Sequence, residues 1–137
     1  MLRRSLLASG IIAASAVPAL ARGVTEMPPP AQYKKVSSLV KLPDFLPGLG
    51  TLYVDPKTLP DGPFLAYDRQ GKLVSTIYMI PLKDLDAHTN IPDLAAPGGP
   101  VDHVSFYFNA GHPGVPEPHY HVILWHVPKS EERLVAK

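Results

Sequence analysis

The chain has no cysteine among its 137 residues. Disulfides, thiolate metal sites and cysteine nucleophiles are thereby excluded, whatever the compartment. Charge is scarce as well, with Asp, Glu, Lys and Arg at 18% of residues. Setting aside Arg3 and Arg4 of the N-terminal segment, eleven basic side chains face twelve acidic ones. Such a balance leaves no basic footprint for nucleic acid or for an anionic membrane surface. No apolar run beyond the N-terminus is long enough to span a bilayer. There is also no G-x-S-x-G, no phosphate-cradling glycine loop and no H-E-x-x-H. Asp84 and Asp86 read as surface charges, not as the carboxylate pair of glycoside chemistry.

What the chain does have begins at its N-terminus. Met1, Leu2, Arg3 and Arg4 precede an apolar run from Ser5 to Val17, and "PALA" then ends at Ala21. Charged, apolar and small-residue regions in that order form a secretory signal, so residues 1–21 stand outside the fold and cleavage near Ala21 delivers the product to the periplasm or the medium. Arg3-Arg4-Ser5-Leu6-Leu7 also resembles a twin-arginine export signal. Residues 22–34, with "MPPP", read as a proline-rich flexible leader, and 35–137 as a single β domain.

Proline is the second abundance: 17 of them, all but one beyond the signal. Each removes a backbone donor and restrains its predecessor, which argues against long helices. Between them lie short β-rich runs at 35–40, 50–55, 63–68 and 72–80. Asp68-Arg69-Gln70-Gly71 separates the last two, and Gly71 can supply the positive φ of a tight hairpin. Neither alternating face of 72–80 is strongly polar, which places that strand centrally in a sheet. "LKDLDAH" (82–88) can form one helical turn, and 91–100 is loop by composition.

Histidine is the third. "GHPGVPEPHYHVILWH" (111–126) holds four of the six, with three prolines. If "VDHVSFYFN" (101–109) and "HYHVILWHV" (119–127) close as a symmetric antiparallel hairpin, Asn109 faces His119, Tyr107 faces His121, Ser105 faces Ile123 and His103 faces Trp125. Period-2 alternation then sorts the side chains. Val104, Phe106, Phe108, Tyr120, Val122 and Leu124 form one face, apolar and suited to the core. His103, Ser105, Tyr107, Asn109, His119, His121, Ile123 and Trp125 form the other.

The resulting constellation is His112, His119 and His121, with Glu117 as an additional carboxylate and Tyr107 and Asn109 beside it for a bound ligand. Imidazoles at i and i+2 project from Cα atoms about 6–7 Å apart, and both can reach one metal ion. Pro113, Pro116 and Pro118 stiffen the loop that returns His112 to the pair, and a nine-residue hairpin loop exceeds the usual two to five. Three histidines with an open position suit zinc, copper, iron or nickel. The same residues also admit a hydrogen-bonded structural cluster, or acid/base catalysis with His119 as general base. His88, His103 and His126 read as structural.

Gly114 to His121 resembles the first metal motif of cupins, but the Glu expected shortly after is missing and no second motif follows. A different resemblance spans about 52–127. The hairpin around "DRQGK", then "MIPLKDLDAH", "VDHVSFYFNAGHPG" and "PHYHVILWHV" resembles a family of small exported bacterial proteins of uncharacterised function. Its signature is a Gly-His-Pro loop followed by Pro-His-aromatic, here Gly111, His112, Pro113 and Gly114, then Pro118, His119 and Tyr120. The family pattern continues with Asp and a spaced His, where this chain has His121, Val122 and Ile123. The resemblance implies a β-sheet domain and no established activity.

These observations together predict a mainly β, single-domain antiparallel barrel or sandwich that binds a transition metal or small ligand. The alternatives are a small metal-dependent enzyme and a non-catalytic subunit that docks to a protein partner. An enzyme requires an enclosed pocket behind the histidine face; an interaction subunit requires an exposed apolar patch or an unpaired edge strand.

Overall fold

The computed structural model describes residues 23–137. The expected signal segment lies outside these residues. Six strands form one antiparallel sheet: β1 (Lys34–Lys35), β2 (Thr51–Val54), β3 (Phe64–Tyr67), β4 (Leu73–Pro81), β5 (His103–Asn109) and β6 (His119–Trp125), in the order β1-β2-β3-β4-β6-β5. Among the described residues the one α-helix, α1 (Leu82–Asp86), is a little over one turn, and no helix there is long and apolar enough to cross a membrane. Dense proline has the expected effect on helix length.

The expected hairpin joins β3 to β4. Gly71 adopts φ +82°, and the Asp68 carboxylate accepts from the N–H groups of Gln70 and Lys72, at 2.9 and 3.0 Å. An Asp that captures nearby backbone donors stabilises a turn without help from distant residues. β4 is buried along all nine residues and lies between β3 and β6, the central place its two apolar faces require. By contrast, the run at 35–40 is a strand only at Lys34–Lys35 and then coils into a 3₁₀ turn at Val36–Ser38. Ser38 donates to the Lys35 carbonyl at 2.6 Å and Ser37 donates to Asp44. Such short-range side-chain bonds compete with a sheet ladder.

Both faces of the sheet carry packed side chains. Val54, Phe64, Ile77, Met79, Ile123 and Trp125 form the larger core on one face. Covering it are the irregular segment 36–49, through Val36, Val40, Leu42, Phe45 and Leu49, and the C-terminal 3₁₀ turn Lys129–Val135, through Leu134 and Val135. Burying a side chain such as Ile77 or Ile123 is worth about 1.5–3 kcal/mol. On the opposite face Leu65, Tyr67 and Leu73 pack with Val24. There the segment beginning at residue 24 is held against the β3–β4 hairpin: Tyr67 donates its hydroxyl to the Val24 carbonyl at 2.7 Å, and Leu73 N–H donates to Thr25 at 2.9 Å.

Two expectations are corrected. The sheet is open, with β1 and β5 at its edges, so the fold is neither a closed barrel nor a sandwich of two sheets. Closure would have to join β5 to β1, a strand of two residues, and the layer over the main core is irregular chain instead of a second sheet.

The second correction concerns which face of the last hairpin turns inward. The register is as expected at every pair, from His103↔Trp125 to Asn109↔His119. Yet His119, Ile123 and Trp125 are buried, while Val104, Phe106 and Phe108 are 53%, 63% and 56% exposed. Hydropathy alone favours the Phe-rich face as core. What decides is β4: Ile77 and Met79 pair with Ile123 and His121, so the histidine face continues the main core under the 36–49 layer.

Candidate metal centre

His119 and His121 reach the site from alternate positions of β6, His121 lining the chamber under the 36–49 layer and His119 a separate cleft beside Asp61 and Lys83. His112 arrives from that loop by a compact turn. The N–H of His112 donates to the Val115 carbonyl at 2.9 Å and the N–H of Val115 returns to His112 at 3.0 Å. Pro113 and Gly114 fill the two central positions, with Gly114 at φ +87°, the residues that a type II turn favours. Just before it Gly111 has φ +131°, and a Cβ there would collide with the Pro116 carbonyl.

The three imidazoles converge through their Nε2 atoms. His119 Nε2 stands 3.0 Å from His121 Nε2 and 3.2 Å from His112 Nε2, and all three ligand atoms lie within 4.8 Å of one another. Ligands at about 2.0–2.1 Å around a tetrahedral ion stand about 3.3 Å apart; the two short pairs fall just inside that spacing, and His112 and His121 must draw together from within 4.8 Å to share the same ion. His119 is fully buried and the other two are half-buried.

Hydrogen bonds on the far side of the rings explain the orientation. His119 Nδ1 donates to the Glu117 carbonyl at 2.7 Å, and His112 Nδ1 donates to the Pro113 carbonyl at 3.0 Å. A carbonyl can only accept, so in the neutral ring each Nδ1 carries the proton and each Nε2 presents a lone pair. Two lone pairs then face one another at 3.2 Å, an arrangement that a shared cation turns from repulsive to attractive. Backbone bonds of this kind also orient and strengthen metal-bound imidazoles. Burial, together with the neighbouring imidazoles of His119 and His112, lowers the His121 pKa to about 4, so this ring is neutral at ordinary pH.

The remaining candidates fall around this centre. Asn109, opposite His119, accepts the Gly111 N–H at 2.8 Å through Oδ1 and lines an apolar chamber beside His112 and His121. Tyr107 lies opposite His121, more than half exposed, and borders a second cleft with His121 and Trp125. Glu117 turns its carboxylate away, to Lys83 at 3.0 Å, and serves His119 through its carbonyl. On that side His119 borders another cleft, lined by the charged Asp61, Lys83 and Asp84. Burial, then the Asp84 charge, raises the Asp61 pKa.

The other histidines stand apart. His103 stacks on Trp125 and bonds Asp102 and Glu132; His126 bonds Thr76 and the Pro100 carbonyl. The 36–49 residues that wall the chamber carry no chemical motif, and their leucine-rich spacing in "SSLVKLPDFLPGLG" is the signal that could have found them.

An open antiparallel sheet with a three-histidine cluster at the mouth of its last hairpin is the class these features define. Residues 68–108 match the model of the TTHB210-like family, described as hypothetical protein TTHB210. Among solved structures, the chain is similar to the crystal structure of hypothetical protein TTHB210 from Thermus thermophilus. The two are 50% identical, with 69% of this chain and 93% of that one covered and a TM-score of 0.62. The protein belongs to the TTHB210-like family, which is uncharacterised. No curated protein matches it. The family match ends at Phe108, before the histidine loop, so the case for the cluster rests on this chain's own geometry.

Proposed function

We propose that the protein binds one transition-metal ion in the exported compartment through Nε2 of His112, His119 and His121. The observation that carries this is the pair of Nε2 lone pairs held face to face by backbone carbonyls on Nδ1, at metal-ligand spacing. Neutral imidazoles suit zinc, copper, nickel and iron, and three of them leave a fourth position for a small ligand. Export is supported by Arg3, Arg4, the apolar run and "PALA".

Elemental analysis and metal titration of the exported protein, beside a His119→Ala/His121→Ala variant, test this. One equivalent of metal in the parent and none in a folded variant is expected. Absence of metal from both, with the variant destabilised, would assign the imidazoles to the fold alone.

A second activity is favoured by the outward face of β5 and β6, where Val104, Phe106, Phe108 and Tyr120 form an apolar surface beside β5, an edge strand among the described residues. This surface suits self-association with a second copy. It bears no charge to select a charged partner, and antiparallel pairing of two identical edges satisfies a twofold axis. Light scattering should give a dimer or larger for the parent and a monomer for Phe106→Ser/Phe108→Ser. A monomeric parent would refute it.

A further inference from the structure

The chamber beside the histidines is too large to be a packing fault. Its volume is about 310 Å³, walled by Leu42, Leu49, Val54, Phe64, Ile77 and Met79 among others, and it contains no Lys, Arg, Asp or Glu. Protein interiors pack to crystal density with few voids larger than a water, and apolar cavities give water no partners. Leu39 and Leu59 line the chamber and are both more than 40% exposed, marking where it meets solvent. At about 30 Å³ for each small group, the space holds about ten non-hydrogen atoms.

Its polar end is chemically defined. His112 and His121 stand there with Asn109, whose Oδ1 is occupied by the Gly111 N–H, leaving the two amide protons to donate. The bound head group is therefore an acceptor. On the chamber side a divalent ion on three neutral imidazoles faces no carboxylate: Glu117 of the loop is engaged by Lys83, and Asp61 and Asp84 line the separate cleft beyond His119. A buried charge without a counter-charge is costly, so the head is anionic.

Resting on the metal centre proposed above, we infer that the chamber binds a medium-chain monocarboxylate, with its carboxylate at the fourth metal position and donated to by Asn109. The hydrocarbon chain then lies between the sheet and the 36–49 layer, toward Leu39 and Leu59.

Octanoate, with ten non-hydrogen atoms, is the probe and acetate its control. Each buried methylene is worth about fourfold in affinity. By calorimetry the zinc-loaded protein should bind octanoate at least about 100-fold more tightly than acetate. Leu49→Trp and, independently, Leu42→Phe should fill the chamber and lower octanoate affinity at least tenfold, with zinc and acetate affinities unchanged as evidence of a folded site. The metal-free protein should likewise lose at least tenfold. In the cobalt-loaded protein octanoate should shift the visible d–d bands.

Zinc binding without preference for octanoate over acetate would overturn the chamber assignment and leave the metal centre standing. Equal octanoate binding with and without zinc would overturn the placement of the head. Failure to take up zinc at all would overturn both.

Discussion

If the three imidazoles share one ion, zinc must stabilise the fold by mass action. A ligand bound only by the native state adds RT ln(1 + [L]/Kd), which is about 2.7 kcal/mol at a hundredfold excess over Kd. For a domain of this length each kcal/mol moves the melting temperature by about 4 °C, so the expected rise is about 10 °C. Above Kd, each further tenfold in free zinc adds about 1.4 kcal/mol, the increment of a single ion. His119 makes both short Nε2 contacts, so His119→Ala removes the central donor of the three. A hundredfold loss of affinity would leave the variant half-saturated at the same zinc, with about 0.4 kcal/mol of zinc-dependent stability, or about 2 °C. Because His119 is buried, its loss also lowers the metal-free melting temperature. The zinc-dependent increment is the quantity to compare, by differential scanning calorimetry in zinc buffers. A parent insensitive to zinc, or a variant that responds equally, would refute the shared ion.

Two more outcomes follow from the loop and from the far end of the hairpin. Gly111→Ala places a Cβ against the Pro116 carbonyl at a backbone φ that alanine disfavours. A cost of about 1–3 kcal/mol in denaturant unfolding and at least a tenfold loss of zinc affinity are expected, and unchanged zinc binding would show that the loop does not position His112. His103 lies between Glu132 on the C-terminal turn, itself near Lys129, and Asp102, with Trp125 stacked on its ring. The Glu132 bond first, and the Asp102 bond next, raise its pKa above 6.5. The stability it contributes is therefore fully present below pH 6.5 and lost as pH rises through the raised value. Unfolding measured from about pH 6 to 9 should show this decline in the parent and a flatter profile in His103→Gln.

Much of the local structure was legible because it depends on neighbouring residues. The Asp68–Gly71 hairpin follows from an Asp that caps its own turn and a glycine able to take positive φ. The pairing of β5 with β6 follows from two β-rich runs about a central loop; the placement of Tyr107, Asn109, His119 and His121 on one face followed only on symmetric closure, the register that the structure adopts. The run at 35–40 misled for an equally local reason, since two serines that bond nearby groups outweighed the β-branched residues.

The inward face of that hairpin was not legible. Val104, Phe106 and Phe108 are a more hydrophobic set than the histidine face, and burial by hydropathy would choose them. That choice depends on which face continues Ile77 and Met79 of β4, and on where residues 36–49 and the C-terminal turn lie. The same layer leaves the sheet open and creates the chamber against His112 and His121.

By itself, then, the sequence determined the absence of thiol chemistry, the short elements and, on the condition of a symmetric hairpin, which histidines share a face, because composition and period-2 alternation act over a few residues. Only the tertiary structure decided that His119 is buried, that its Nε2 meets those of His112 and His121, and that an apolar chamber adjoins them. Those outcomes depend on packing between segments distant along the chain, which local pattern does not encode.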